Sequence, residues 1–132
     1  MDMKVNTVIA LMIVFFFPAV LLCQWQSSDW SSSEDAAVPI AMNYVRMSPT
    51  FRFDGVTDSI DVTDTIVFES YPLQFGIKVE FDCLHAGYGD RIGQILGQAI
   101  THHVVLIRIS NGDVIQADMD DVWDMKLQAL IE

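Results

Sequence analysis

The chain is poor in cations, and this shortage excludes one class of partner. It has 7 Lys and Arg against 18 Asp and Glu, which gives a formal net charge of −11. Nucleic-acid phosphates require a basic protein face, and anionic lipid surfaces attract basic segments. We therefore expect no nucleic-acid partner, and any contact with a membrane has to be made by apolar residues.

Cysteine is also scarce. The chain has 2 cysteines, Cys23 and Cys83. Cys23 ends an apolar run and Cys83 lies in a strand-like segment, so a disulfide between them is not expected. The strand pattern favours a buried, unreactive Cys83, and a reactive thiol or an intermolecular disulfide are the alternatives.

A long apolar run stands near the start of the chain. Val8–Cys23 contains 16 consecutive residues without a charged side chain. A spanning helix needs roughly 20 apolar residues, whereas the apolar part of a cleaved signal peptide has about 7–15. The run lies between these lengths, so residues 7–25 are predicted either to stay in the membrane as an anchor or to belong to a cleaved signal.

A third interpretation concerns Cys23. Val20-Leu21-Leu22-Cys23 resembles the lipobox of prokaryotic lipoproteins, although Leu22 stands where that motif has Gly, Ala or Ser. The resemblance implies acylation of Cys23 and attachment through lipid. All three interpretations give the same topology, because Lys4 precedes the run and is predicted to stay inside.

The rest of the chain divides into two parts. Residues 24–39 are serine-rich and acidic, which is typical of a mobile linker. Residues 40–132 are numerous enough to bury one hydrophobic core. We therefore predict a signal peptide or membrane anchor at 1–23, a linker at 24–39 and a small extracytoplasmic domain at 40–132.

Alternating apolar and polar residues predict several β-strands. The clearest alternation is in Phe75–Cys83, where every second residue is apolar. Asn111-Gly112 separates two β-branched runs, which is a strong hairpin signal. The segment around Asp64 is predicted to be one long strand or two short ones. The predicted strands cover residues 50–54, 59–69, 75–83, 104–109 and 114–117.

Two further segments have helical spacing. Asp90 can cap a helix over Arg91–Ile100, although Gly93 and Gly97 would each cost it about 1 kcal/mol relative to Ala. An irregular glycine-rich loop is the alternative for this segment. Asp120 can cap a final helix. The sequence thus predicts an α+β domain, a small antiparallel sheet of four or five strands with one or two helices on one face.

The segment His85–Arg91 is the predicted recognition site. Tyr88 lies between two glycines, with Asp90 and Arg91 beside it. Aromatic and Arg side chains are the usual anchors of binding surfaces, and binding residues are often on loops. The residues predicted to contact a ligand or partner are His85, Tyr88, Asp90 and Arg91. The structural alternative is a tight turn whose Tyr packs back over the sheet.

The same region offers a possible metal site. Thiolate and imidazole are ligands that Zn²⁺ and Cu²⁺ prefer. The candidate transition-metal ligands are Cys83, His85, His102 and His103. Two acidic series, residues 54–64 and 118–124, could instead bind calcium, but neither matches the EF-hand pattern. Cys83 and a histidine could also form a nucleophilic pair, which would require an accessible thiol.

These observations favour a non-enzymatic role. The preferred hypothesis is a membrane-tethered or secreted extracytoplasmic domain that binds a protein or a small ligand through His85–Arg91. The alternative is a metal-binding or redox-active surface protein that uses Cys83, His85, His102 and His103. No phosphate-binding or serine-hydrolase motif is present in the sequence.

Overall fold

A computed structural model describes residues 33–132. The predicted membrane segment, Cys23 and the start of the predicted linker lie outside the described residues. None of the helices within residues 33–132 combines the length and the hydropathy of a membrane-spanning segment. The elements are α1 (Glu34–Met47), α2 (Pro49–Asp54), a 3-10 turn (Thr57–Ser59), β1 (Asp61–Phe68), β2 (Gln74–His85), β3 (Gln98–Ser110), β4 (Asp113–Met119), β5 (Trp123–Asp124) and β6 (Ala129–Leu130).

The fold is α+β, as predicted, with one antiparallel sheet in the order β1-β2-β3-β4-β5-β6. The sheet has six strands in the described part of the chain rather than four or five, because two short strands follow β4. Each strand pairs with its neighbour in sequence. The helices precede the sheet, and α1 packs against β1, β2 and β3.

Helix α1 begins at a serine cap. The Ser33 hydroxyl accepts a hydrogen bond from the amide of Ala36 at 3.3 Å, and acidic side chains occupy the first turn. Both features stabilise a helix N-terminus. The buried face consists of Ala37, Ala41 and Val45, spaced four residues apart, and these small side chains let the helix approach the sheet closely. The helix starts inside the segment that the sequence assigned to the linker.

Strand β2 confirms the clearest sequence pattern. Its buried residues alternate with half-buried ones from Phe75 to Cys83, and the buried set faces α1. The register pairs Phe75 with Ile109 and Val79 with Val105, so core residues lie opposite one another. Strand β1 is also confirmed, as one strand with an irregularity between Val62 and Asp64.

The predicted hairpin between β3 and β4 is confirmed. Asn111 and Gly112 have φ angles of 51° and 81°. Two successive residues with positive φ form the tight turn whose twist matches that of paired strands, and Asn-Gly is the preferred pair there.

The predicted strand over residues 50–54 is wrong. Pro49–Asp54 is a helix, because Ser48 accepts a hydrogen bond from the amide of Phe51 and Pro49 occupies the first turn. Serine at the cap followed by proline is a helix start signal. This signal outweighs the alternation of Phe51 and Phe53.

The predicted helix over Arg91–Ile100 is also wrong, and the alternative of a loop is confirmed. Residues 86–97 contain neither helix nor strand, and β3 begins at Gln98. Gly93 has a φ angle of 82°, which a right-handed helix cannot contain. Burial of the Arg91 side chain, described below, also fixes the chain in a different path.

The predicted C-terminal helix is wrong as well. Asp120 and Asp121 have φ angles of 54° and 59°, so they form a turn instead of a helix cap. The Asp124 carboxylate accepts hydrogen bonds from the amides of Lys126 and Leu127 at 2.8 and 2.9 Å. These bonds close a second turn, and β5 and β6 pair across it.

Candidate functional site

A buried arginine fixes the base of the loop formed by residues 86–97. The Arg91 side chain is 2% exposed and lies 2.8 Å from the Asp54 carboxylate. The guanidinium also donates hydrogen bonds to the carbonyl oxygens of Thr50, His85 and Ala86 at 2.9–3.2 Å. A planar guanidinium suits several acceptors at once, and pairing lowers the cost of burying its charge.

Asp54 joins α2 to the loop and to β2. Its second carboxylate oxygen lies 2.8 Å from Nδ1 of His85. Burial alone would raise the pKa of Asp54, but hydrogen bonds from His85 and Cys83 together with the charge of Arg91 lower that pKa below its ordinary value. The carboxylate is therefore ionised at neutral pH.

A second set of contacts holds the middle of the loop. The amide of Gly89 donates a hydrogen bond to Oγ1 of Thr50 at 2.7 Å. Gly89 has a φ angle of 71°, and a Cβ there would lie 3.2 Å from the ring of Trp123. The positive φ therefore favours glycine at this position, and any Cβ would also need the Trp123 ring to shift by a few tenths of an ångström. Tyr88 stacks on Trp123, with ring centroids 5.6 Å apart and planes at 10°.

Asp120 connects this part of the loop to β3. Its carboxylate lies 2.6 Å from Nδ1 of the buried His103 and accepts hydrogen bonds from the Tyr88 hydroxyl at 3.0 Å and the Val104 amide at 2.7 Å. Burial and the bond to Asp120 raise the pKa of Tyr88 to about 12, so the hydroxyl stays protonated and remains a donor.

The outer part of the loop is exposed and apolar. Ile92 is 79% exposed and Ile95 is fully exposed. The Asp90 carboxylate accepts a hydrogen bond from the amide of Ile92 at 3.0 Å, which shapes the chain just after the buried Arg91. Beside this turn is a pocket of about 310 Å³, lined by Pro49, Arg52, Phe53, Asp90 and Ile92.

The four residues predicted to bind a ligand differ in how exposed their side chains are. Asp90 is exposed and lines the pocket. His85 is half-buried against Asp54, and Tyr88 packs back over the sheet. Arg91 is buried, with its guanidinium 4.7 Å from the centroid of the Phe53 ring. Three of the four residues hold the loop in place, and one contributes to its exposed surface.

The candidate metal ligands do not meet at one point. His102 and His103 are neighbours on β3 with side chains 55% and 1% exposed, because successive strand residues point to opposite faces. Cys83 is buried on the helix-covered face, and His85 pairs with Asp54. Among residues 33–132 there is no group of three or more His, Cys, Asp or Glu side chains that could hold a metal ion, which applies equally to the two acidic series.

Sequence reasoning missed the partners that build this site. These partners are Thr50, Asp54, Asp120 and Trp123, and each is 30 or more residues away in sequence from the loop position that it contacts. Their local sequence gives no signal for these contacts. Asp54 and Arg91 are an example, because they are 37 residues apart in sequence and meet only where α2 packs against β2.

The thiol of Cys83 gives a first testable prediction. Burial raises the pKa of Cys83 to about 12, and the neighbouring Asp54 carboxylate adds to this effect. We expect Cys83 of the folded protein to resist a thiol-labelling reagent at neutral pH and to react fully after denaturation, because the thiolate is the nucleophile. Mass spectrometry gives the labelled fraction, and Cys23→Ser removes the second thiol. Rapid labelling of the folded protein would show an accessible nucleophile and contradict the buried placement.

His102 gives a prediction on the open face of the sheet. Its ring nitrogens lie 2.7 Å from Asp82 and 3.2 Å from Glu80. The hydrogen bond to Asp82, followed by that to Glu80, raises the pKa of His102 above its ordinary value. The contribution to stability is therefore fully present below the pKa of the unfolded chain and is lost as pH rises through the folded value. An NMR titration of the His102 ring should show a raised pKa that falls in Asp82→Asn, and an unchanged pKa in that variant would contradict the assignment.

Comparison of the chain with protein-family models, curated proteins and solved structures found no match in any of the three.

Proposed function

We propose that the protein is a non-enzymatic binding domain, held outside the cytoplasm as a membrane-tethered or secreted protein, that binds a partner protein through the loop of residues 86–97. The observation that carries the proposal is an exposed apolar loop on a fixed base. Ile92 and Ile95 are exposed, whereas Arg91 beside them is buried.

The fixed base favours binding because less conformational freedom is lost on association. Loop ordering and side-chain ordering reduce the affinity of an interface, and a preorganised loop avoids part of this cost. Here the ion pair of Arg91 with Asp54 and the bond of Gly89 to Thr50 hold the loop before any partner arrives. Exposed isoleucines on such a loop are suited to fill an apolar recess of another protein.

The pocket beside the loop adds selectivity to this apolar contact. Phe53 provides an aromatic wall, and Arg52 and Asp90 place opposite charges at the margin. Its volume of about 310 Å³ is at the lower limit of the roughly 300–1,000 Å³ of small-molecule sites. It therefore suits a protruding side chain of a partner better than an enclosed small molecule.

Photo-crosslinking from the loop tests the proposal. A photoreactive phenylalanine is placed at Ile92 or Ile95 in the full-length chain, and the cells that make it are irradiated intact. We expect a protein adduct of discrete mass from both positions. The adduct yield should fall in Asp90→Asn and Arg52→Gln, which remove the two charges of the pocket while leaving the side chains similar in size.

The matched control is the same crosslinker at Tyr71. Tyr71 is also fully exposed but lies at the other end of β2. The same adduct from Tyr71 would show that capture is not specific to the loop. Adducts with lipid alone from Ile92 would show that the loop contacts a membrane, and would overturn the proposal of a protein partner.

A further inference from the structure

The face of the sheet opposite α1 carries an apolar groove. It is lined in part by Ile66, Phe68 and Leu106, of which Ile66 and Leu106 are 48% and 46% exposed. Gly76 leaves room for Phe68, whose ring would lie 3.0 Å from a Cβ at that position. The groove has a volume of about 160 Å³, which is below the roughly 300–1,000 Å³ of small-molecule sites. It is therefore too shallow to enclose a small molecule and better suited to a peptide segment that lies across the surface.

Two carboxylates mark the ends of this groove. The strand register places Asp64 opposite Lys78, Lys78 opposite Leu106, and Leu106 opposite Asp118. The four residues therefore form one row across β1, β2, β3 and β4. Neighbouring strands are about 4.8 Å apart, which puts the two aspartates roughly 14 Å from each other. Lys78 and Leu106 lie between them.

The two cations that line the groove have partners on the same face of the sheet. Lys78 forms an ion pair with Glu80 at 3.0 Å, and the Arg108 guanidinium lies 4.9 Å from the centroid of the Phe68 ring. Within residues 33–132, neither Asp64 nor Asp118 takes part in an ion pair. The groove thus has a carboxylate without an ion-pair partner at each end, and its middle contains Leu106 beside the ion pair of Lys78 with Glu80.

We infer that this groove is a second docking site, for an extended peptide segment of a partner protein with two basic side chains flanking an aliphatic one. An extended chain advances about 3.3 Å per residue, so side chains at i and i+4 point the same way and lie roughly 13 Å apart. This spacing matches Asp64 and Asp118, and the side chain at i+2 then lies between Lys78 and Leu106, where it can pack against the Leu106 side chain. The site is separate from the loop of residues 86–97.

The charge of the chain favours this occupant over a second copy. The formal net charge is −11, so two copies of the protein repel each other, and face-to-face pairing would bring unpaired carboxylates together. A basic segment is attracted by the same field. The attraction weakens as salt is added, because these charges are exposed to solvent.

A defined peptide tests the inference. The probe is fluorescein-labelled Ser-Lys-Ser-Leu-Ser-Lys-Ser, titrated by fluorescence anisotropy with the full-length chain in nanodiscs of neutral lipid. We expect saturable binding that weakens with salt. Asp64→Asn and Asp118→Asn should each weaken binding about threefold, the scale of an exposed ion pair. Leu106→Ser should weaken it about fivefold through lost apolar contact.

The controls separate the groove from general acidity. Asp113→Asn makes the same charge change at an exposed position outside the groove and should leave affinity unchanged. A peptide with Glu for both Lys, or with Ser for Leu, should bind more weakly. The inference would be overturned if these peptides bound as tightly as the original one, or if Asp113→Asn weakened binding as much as the groove substitutions. It would also be overturned if the protein formed a dimer that covers the groove. None of these outcomes bears on the loop site.

Discussion

Asp54→Asn is expected to lower the free energy of unfolding of the full-length chain by about 3–5 kcal/mol, the cost of removing one partner of a buried ion pair. The Arg91 side chain is 2% exposed and the Asp54 side chain 6% exposed, so water cannot replace the lost carboxylate. The substitution leaves a guanidinium charge buried without a counter-charge. Chemical denaturation followed by near-ultraviolet circular dichroism measures the difference.

Asp58→Asn is the matched control, since Asp58 is exposed in the 3-10 turn that follows α2. A surface change of this kind should alter stability by less than about 0.5 kcal/mol. An equal loss in the two variants would show that general charge, rather than the buried pair, governs stability. A negligible loss in Asp54→Asn would contradict the role of the pair directly.

The same carboxylate makes stability depend on acid pH. Because the pKa of folded Asp54 is lowered, the stability it contributes is present above the ordinary carboxyl pKa and is lost as pH falls through the folded value. We expect the unfolding free energy of the wild type to fall at acid pH and the dependence to be shallower in Asp54→Asn. Parallel pH curves for the two proteins would contradict this assignment.

Asp120→Ala is the second substitution with a large expected effect, a loss of about 3 kcal/mol or more. The carboxylate lies 2.6 Å from the buried His103 ring and also accepts bonds from Tyr88 and the Val104 amide. Alanine removes all three contacts and leaves His103 without this partner. The measurement is again equilibrium unfolding of the full-length chain.

Asp121→Ala is the control that separates the side-chain contribution to the loss of stability from the backbone contribution. Asp121 has a φ angle of 59°, close to the 54° of Asp120, but its side chain is exposed. Both variants place alanine at a positive φ, so the backbone cost is shared. The excess loss in Asp120→Ala measures the side-chain contacts. Equal losses in the two variants would show that backbone strain accounts for the whole effect.

The sequence predicted the sheet well where one local signal was present. The alternation in β2 and the Asn-Gly turn are local features, and both were correct. Helix α1 was missed because the serine-rich, acidic composition of residues 24–39 suggested a linker, although Ala37, Ala41 and Val45 have helical spacing. Local alternation at residues 50–54 was misleading because the Ser48-Pro49 cap has the stronger effect.

The sequence pointed to the segment that contains the candidate site, but it did not predict the contacts that shape the site. Tyr88 and Arg91 stood out by residue type, yet their burial depends on Asp54, Thr50 and Asp120, which are distant in sequence. Only tertiary packing decides whether an arginine points outward to a partner or inward to a carboxylate. The exposed part of the loop was not singled out, because residues 91–100 were predicted first as a helix, with an irregular loop as the alternative.

We propose that the buried Arg91 holds the loop in the form that binds a partner. The most direct test is crosslinking from Ile92 in an Arg91→Lys background, with the fold verified by protection of Cys83 from labelling. Lysine keeps the charge but cannot reproduce the planar set of hydrogen bonds. We expect the Ile92 adduct to be lost while the folded core persists. An undiminished adduct in folded Arg91→Lys would contradict it.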